Sequence, residues 1–197
     1  MIKLPNENLS KRSTAQLEKY HQKVLNQTNF KSKVLDAKKV WDNASKKNKT
    51  FLEIKGKLTE MCSGSQRCCY CEDAPADEIE HIAPKNIYPL LCFSWSNYLY
   101  ACGPCNGPKN NKFAVFLNSN GAYKDITPPR GTYPIPPKGS TVLISPRKEN
   151  PLDFILLDIE GGTFHFVPFS DDKTNRNYKR AEYTICLLYT SPSPRDS

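Results

Sequence analysis

Two Cys-x-x-Cys pairs, Cys68-Cys69-Tyr70-Cys71 and Cys102-Gly103-Pro104-Cys105, lie 30 residues apart near the middle of this 197-residue chain. A two-residue gap lets a tight turn aim both sulfurs at one ion, and four thiolates suit tetrahedral zinc at about 2.3 Å. Redox dithiols and buried apolar cysteines are the competing readings. Redox use places one pair beside a βαβ pattern, which this sequence lacks. A disulfide framework belongs to secreted chains, and the start Met1-Ile2-Lys3-Leu4-Pro5 lacks the apolar stretch of a signal peptide. No apolar run approaches the roughly 20 residues of a membrane helix. The chain is therefore expected in the cytoplasm, with Cys68, Cys71, Cys102 and Cys105 holding structural zinc. Such an ion has no open position, so it can brace a fold but cannot activate water. Cys62, Cys69 and Cys92 are expected to pack as small apolar groups.

Charge divides the chain. Residues 1–61 hold 14 Lys/Arg against 6 Asp/Glu, residues 62–114 hold 4 against 5, and the remainder 10 against 9. The whole positive excess sits in the N-terminal third. A positive face of this kind attracts a polyanion, and a nucleic-acid backbone is the obvious one; a solvated Lys-rich helix surface is the plainer reading.

That third is expected to form two or three amphipathic helices. Leu17, Tyr20, Val24 and Leu25 recur at helical spacing, followed by Phe30, Val34, Ala37, Trp41 and Ala44, then Phe51, Ile54, Leu58 and Met61. Ser13 with Gln16, and Thr50 with Glu53, have the spacing of capping boxes. Residues 126–151 are rich in Pro and Gly and read as loop, with a short strand from Thr141 to Ile144. The runs 153–158 and 163–167 flank Glu160-Gly161-Gly162 as the arms of a β-hairpin. The final stretch, from Cys186 onward, resembles one reading frame of a transposon-end sequencing adapter; otherwise it is a polar Ser/Pro-rich terminus. On either reading residues 186–197 are expected outside the fold, and on the adapter reading the natural chain is cut near Ile185. The expected organisation is α+β: a basic helical arm over 1–61, a zinc-braced ββα core over 62–116, and a Pro-rich loop and β-hairpin region over 117–185.

Between the cysteine pairs lies Ile79-Glu80-His81-Ile82-Ala83-Pro84-Lys85, and after them Asn97-Tyr98-Leu99 and Cys105-Asn106-Gly107-Pro108-Lys109. This order of elements resembles the HNH (ββα-metal) endonuclease motif. Tyr70-Cys71-Glu72, Ile79-Glu80-His81 with Pro84-Lys85, and Trp95-Ser96-Asn97 are more narrowly similar to the HNH proteins of retron-associated and Septu-type anti-phage systems. The motif covers residues 68–113.

The resemblance implies a metal-dependent endonuclease that hydrolyses phosphodiester bonds, most naturally in DNA, in phage defence and beside an ATPase partner. His81 would be the general base, since imidazole titrates near neutrality. Glu80 and Asn106 would hold a catalytic Mg²⁺ or Mn²⁺, which suits hard oxygen ligands. Asn97 would hold the loop and orient His81, while Lys85, Lys109 and Lys112 would grip phosphates. Two features depart from the commoner pattern. Glu80 stands where many such motifs have Asp, and Gly107-Pro108 interrupts a helix expected to start at Asn106, where proline is tolerated only in the first turn.

Each residue also has a structural reading. His81 can be a satisfied core histidine, Asn106 an N-cap, Glu80 a partner for a nearby lysine. A non-catalytic zinc-stabilised nucleic-acid-binding module therefore stands as the alternative, and a zinc-braced adaptor for protein partners as a third.

Overall fold

The computed structural model describes residues 1–46, 48–159 and 165–189. Three helices open the chain: α1 (Lys11–Leu25), α2 (Phe30–Ala44) and α3 (Lys49–Met61). Their inward faces are the apolar stripes of the sequence, with Leu17, Tyr20 and Val24, then Val34, Ala37 and Trp41, then Phe51, Ile54 and Leu58 all buried. The caps differ from the expected boxes. Ser10, Asn29 and Asn48 cap the three helices, each accepting from a backbone N–H of the first turn. Ser13 instead lies inside α1, and its hydroxyl donates to Glu53 Oε2 at 2.6 Å, while Ser10 N donates to Glu53 Oε1. Glu53 thus ties α3 to the start of α1 rather than closing its own helix.

The helices do not stand apart as an arm. Their buried residues share one continuous apolar cluster with Cys68, Tyr70, Ile82, Tyr98 and Leu99. Trp41 is the joint: its ring meets Phe51 at 5.1 Å, His81 at 4.2 Å and Tyr98 at 5.5 Å between centroids. Edge-to-face contacts of this kind add about 0.5–1.5 kcal/mol each beyond area burial.

Next comes a ββα unit. Strand β1 (Glu78–His81) pairs antiparallel with β2 (Tyr98–Ala101), with His81 opposite Tyr98 and Glu80 opposite Leu99. Helix α4 (Gly103–Lys109) follows at once. It begins three residues before the position expected from Asn106, because Cys102 is the N-cap and Pro104 occupies the first turn, where a missing N–H costs nothing. Pro108 therefore falls inside this short helix.

β3 (Ala114–Leu117) is the middle strand of a second sheet, between β4 (Tyr123–Asp125) and β5 (Gly139–Thr141). The strand expected at Thr141–Ile144 thus lies two residues earlier, since pairing with β3 starts at Gly139. A Cβ at Gly139 would sit 2.6 Å from the Phe116 carbonyl oxygen, so only glycine permits this close crossing. β6 (Ile155–Asp158) and β7 (His165–Pro168) pair antiparallel as expected for the hairpin arms; the turn at Glu160-Gly161-Gly162, with Thr163 and Phe164, lies outside the described residues.

The last helix, α5 (Arg176–Leu188), corrects the C-terminal expectation for residues 186–189. Ala181, Thr184, Leu187 and Leu188 form its buried face, and the Tyr189 hydroxyl donates to the Tyr70 carbonyl at 2.7 Å. Helical periodicity simply runs on through Cys186-Leu187-Leu188. Residues 190–197 lie outside the described ones. Among the described residues no helix is long and apolar enough to cross a membrane.

Candidate functional site

The loop after α3 is held by little regular structure: one isolated bridge, Arg67 to Pro75, and backbone bonds such as Cys68 N to Ala74 O at 2.8 Å. Glu72 takes a positive φ of 60°, which closes the turn carrying Cys68 and Cys71. Facing it, Cys102 and Cys105 straddle the first turn of α4. The four sulfurs lie within 4.8 Å of one another, with Cys71 and Cys102 at 3.9 Å. A tetrahedron with bonds of about 2.3 Å has edges of about 3.8 Å, so the group can hold a metal ion. Cys68 Sγ also accepts from Tyr70 N at 3.4 Å and Cys102 N at 3.3 Å, bonds that favour a thiolate. Hydrogen bonds from Cys105 and then Cys68 hold the Cys71 thiol well below its ordinary range, whereas burial pushes Cys102 up to about 12. A cation among them would let all the sulfurs ionise together.

This cluster sits at the root of the helix that bears Asn106 and Lys109, so it also fixes their direction. Between α4 and β1 lies a cleft of about 310 Å³. Glu80, His81, Lys85 and Asn106, four of the residues singled out from sequence, border it, together with Glu78.

Alternate strand residues face opposite sides. Glu78 and Glu80 turn toward α4, where Asn106 Nδ2 donates to Glu78 Oε2 at 2.6 Å and Lys109 pairs with Glu80 Oε1. The bond to Glu78 orients the Asn106 amide, since only its NH₂ can donate to a carboxylate, and this leaves Oδ1 as the acceptor end, without a hydrogen-bond partner among the described residues. Burial raises the Glu80 carboxyl above its ordinary range, and the Lys109 ammonium opposes that shift.

His81, on the other face, packs against Trp41 and Tyr98 and is 5% exposed. Its Nε2 lies 3.0 Å from the Cys92 carbonyl, which also accepts from the Tyr98 hydroxyl at 2.7 Å. A carbonyl only accepts, so Nε2 carries the proton and Nδ1 keeps its lone pair. Burial and then Lys85 push the imidazole down to about 3, well below the near-neutral titration expected from sequence. It is therefore neutral at pH 7.

The remaining residues fall elsewhere. Asn97 is buried and latches the loop after β1: Oδ1 accepts from Ala83 N at 2.8 Å, and Nδ2 donates to the Ala83 and Leu91 carbonyls at 3.0 Å. It touches Leu91, the neighbour of Cys92, so any effect on His81 passes through that carbonyl. Lys112 borders a neighbouring groove rather than the cleft. Lys109 departs most from expectation. It is 0% exposed, paired with Glu80 and donating to the His81 carbonyl at 2.9 Å, so it is a strut and not a phosphate grip.

Removing one partner of a buried pair strands the other charge, at a cost of about 3–5 kcal/mol. Lys109→Met is expected to lower unfolding stability by that amount in urea titration, whereas Lys112→Met, at the surface, leaves it within about 0.5 kcal/mol.

Sequence reading missed Glu78 and Trp41. Glu78 was legible as the i−2 neighbour of Glu80 on a strand. Trp41 reaches His81 from a helix 40 residues earlier, and nothing local announces that.

An α+β fold with a four-cysteine cluster able to hold a metal ion and a polar cleft between its hairpin and helix is the class these features define. Over 61 residues the chain is 41% identical to the Septu protein PtuB of Bacillus thuringiensis. The match takes in 28% of this chain and covers only 23% of that relative's length. No family model and no solved structure matches the chain.

Proposed function

We propose that the chain is a divalent-metal-dependent endonuclease of the HNH kind, acting on DNA in anti-phage defence, with zinc in the four-cysteine clasp. The observation that carries this reading is that His81, Glu80 and Asn106 all line one cleft, behind a clasp at the root of the helix that bears Asn106. The similarity to a Septu protein supports the defence context; the family resemblance would add an ATPase partner that controls the activity.

In this reading His81 Nδ1 takes the proton from the water that attacks phosphorus. The Cys92 carbonyl and Trp41 keep the ring in place while it does so. Burial makes the resulting imidazolium costly, and the phosphate anion in the cleft offsets that cost. Lys85, half-exposed at the cleft mouth, holds the phosphate. Glu80 and Asn106 offer hard oxygens suited to Mg²⁺ or Mn²⁺, and Glu78 holds the amide in the presenting orientation. A bound ion would supply positive charge for the crowded phosphate and the leaving oxygen.

One observation favours the alternative of a binding module without catalysis: Glu80 is already neutralised by Lys109. A nicking assay on supercoiled plasmid separates the two readings. The zinc-loaded wild-type chain should nick with added Mg²⁺ or Mn²⁺ and not without either ion. Folded protein that binds plasmid but leaves it closed with either ion would favour the binding module.

A further inference from the structure

A second and larger hollow, about 600 Å³, adjoins the cleft and shares Gly107, Asn110 and Asn111 with it as a common wall. Its far side is the Pro-rich segment 127–133, whose shape is fixed locally. Thr127 N donates to Asp125 Oδ1 at 2.8 Å, Thr132 donates through both N and Oγ1 to the Pro129 carbonyl, and Gly131 takes a positive φ of 79°. Consecutive prolines reduce the freedom such a loop would lose on binding.

Cations predominate on its lining. Lys38, Lys112 and Arg130 line the hollow, and among the described residues no carboxylate does. Burial and then the ammonium of Lys85, which borders the cleft, lower the Lys38 pKa, and the Asp42 carboxylate opposes them. Two cations crowded at the junction of cleft and groove are relieved by an anion between them. Tyr133 adds an aromatic surface. Its ring lines the groove, with the Lys31 and Lys38 ammonium groups 5.9 and 5.7 Å from its centroid. Asn86 Oδ1, on the same wall, is buried without a hydrogen-bond partner among the described residues.

Aromatic platforms interleaved with cations are the general chemistry of single-strand recognition, because every base has a π-face and every linkage a charge. We propose that this groove holds a single-stranded nucleic-acid segment leaving the cleft, with one base stacked on Tyr133 and its phosphates paired with Lys38, Lys112 and Arg130. The direction of the strand rests on the nuclease reading; the binding itself does not.

The test is therefore a binding measurement that needs no cleavage. Anisotropy of a fluorescein-labelled 20-nucleotide single strand and its duplex is followed with the zinc-loaded full chain in buffer without added Mg²⁺ or Mn²⁺. Tyr133→Ala should weaken the single strand by about 5- to 150-fold and the duplex far less, while Tyr133→Phe stays within a factor of about two of wild type. Lys112→Ala should lower the slope of log Kd against log salt by about 0.7. Binding is read without turnover, so a failed nicking assay would leave this result standing. The proposal is overturned if Tyr133→Ala binds the single strand like wild type, or if it loses both substrates equally.

Discussion

Serine at Cys105 is expected to leave the chain without a folded core at 37 °C. Cys68 and Cys71 stand on a loop with no strand or helix of its own, and Cys105 sits in the first turn of the seven-residue α4. Isolated helices that short are not stable in water. What holds α4 against β1 is the buried Lys109–Glu80 pair on one side and the sulfur cluster on the other. A structural zinc contributes roughly 10–16 kcal/mol of binding free energy at pH 7. That equals or exceeds the roughly 5–15 kcal/mol by which whole domains are stable. Loss of one thiolate forfeits most of it. Metal analysis should find one zinc per wild-type chain and none in Cys105→Ser, and the variant's circular dichroism should show no cooperative melt. Cys62→Ser, outside the four-sulfur group, should keep both zinc and melt. A folded wild-type chain free of metal would overturn the brace.

The same cluster was the most legible feature in the sequence, because four ligands at fixed gaps encode one tetrahedral geometry regardless of what surrounds them. The three opening helices were legible for a similar reason: apolar residues at Leu17, Tyr20 and Val24 can share a face only in a helix. What the stripes could not say was what they would face. Trp41 belongs to a helical stripe like any other, yet its partner is a histidine on a distant strand. Glu53 had the spacing of a capping residue, but two serines from α1 reach it first.

Around the cleft the limits are sharper. Glu80, His81 and Asn106 were recognised by their order, and they border the same opening. Their electrostatics were not readable. Lys109 looks in sequence like a cation for phosphate, and only the fold shows that it points inward to Glu80 and the His81 carbonyl. The imidazole's displacement to about 3 likewise comes from burial under Trp41 and Tyr98, which no local pattern encodes. α5 escaped notice because its apolar positions Leu187 and Leu188 fall in a stretch set aside as foreign to the fold.

The second large effect concerns that imidazole. A positioned general base contributes about 10²–10⁴-fold to rate, and a side chain without a basic nitrogen forfeits that factor. Alanine at 81 would also open a cavity beneath Trp41, so a loss of activity in His81→Ala alone could reflect packing. His81→Gln separates the two causes. Its amide can donate to the Cys92 carbonyl in place of Nε2, preserving the bond that seats the ring, but it cannot accept and hold a proton at neutral pH. Zinc content, and DNA affinity without added Mg²⁺ or Mn²⁺, should match wild type for His81→Gln, which isolates the chemical step.

The decisive measurement is the nicking rate of supercoiled plasmid in Mn²⁺ or Mg²⁺ for wild type beside His81→Gln and His81→Ala, each shown to be folded and zinc-loaded. Both variants should fall by about 10²–10⁴-fold with unchanged plasmid affinity. Nicking by folded His81→Gln at the wild-type rate would contradict the assignment of His81 as the base and, with it, the nuclease reading of this cleft.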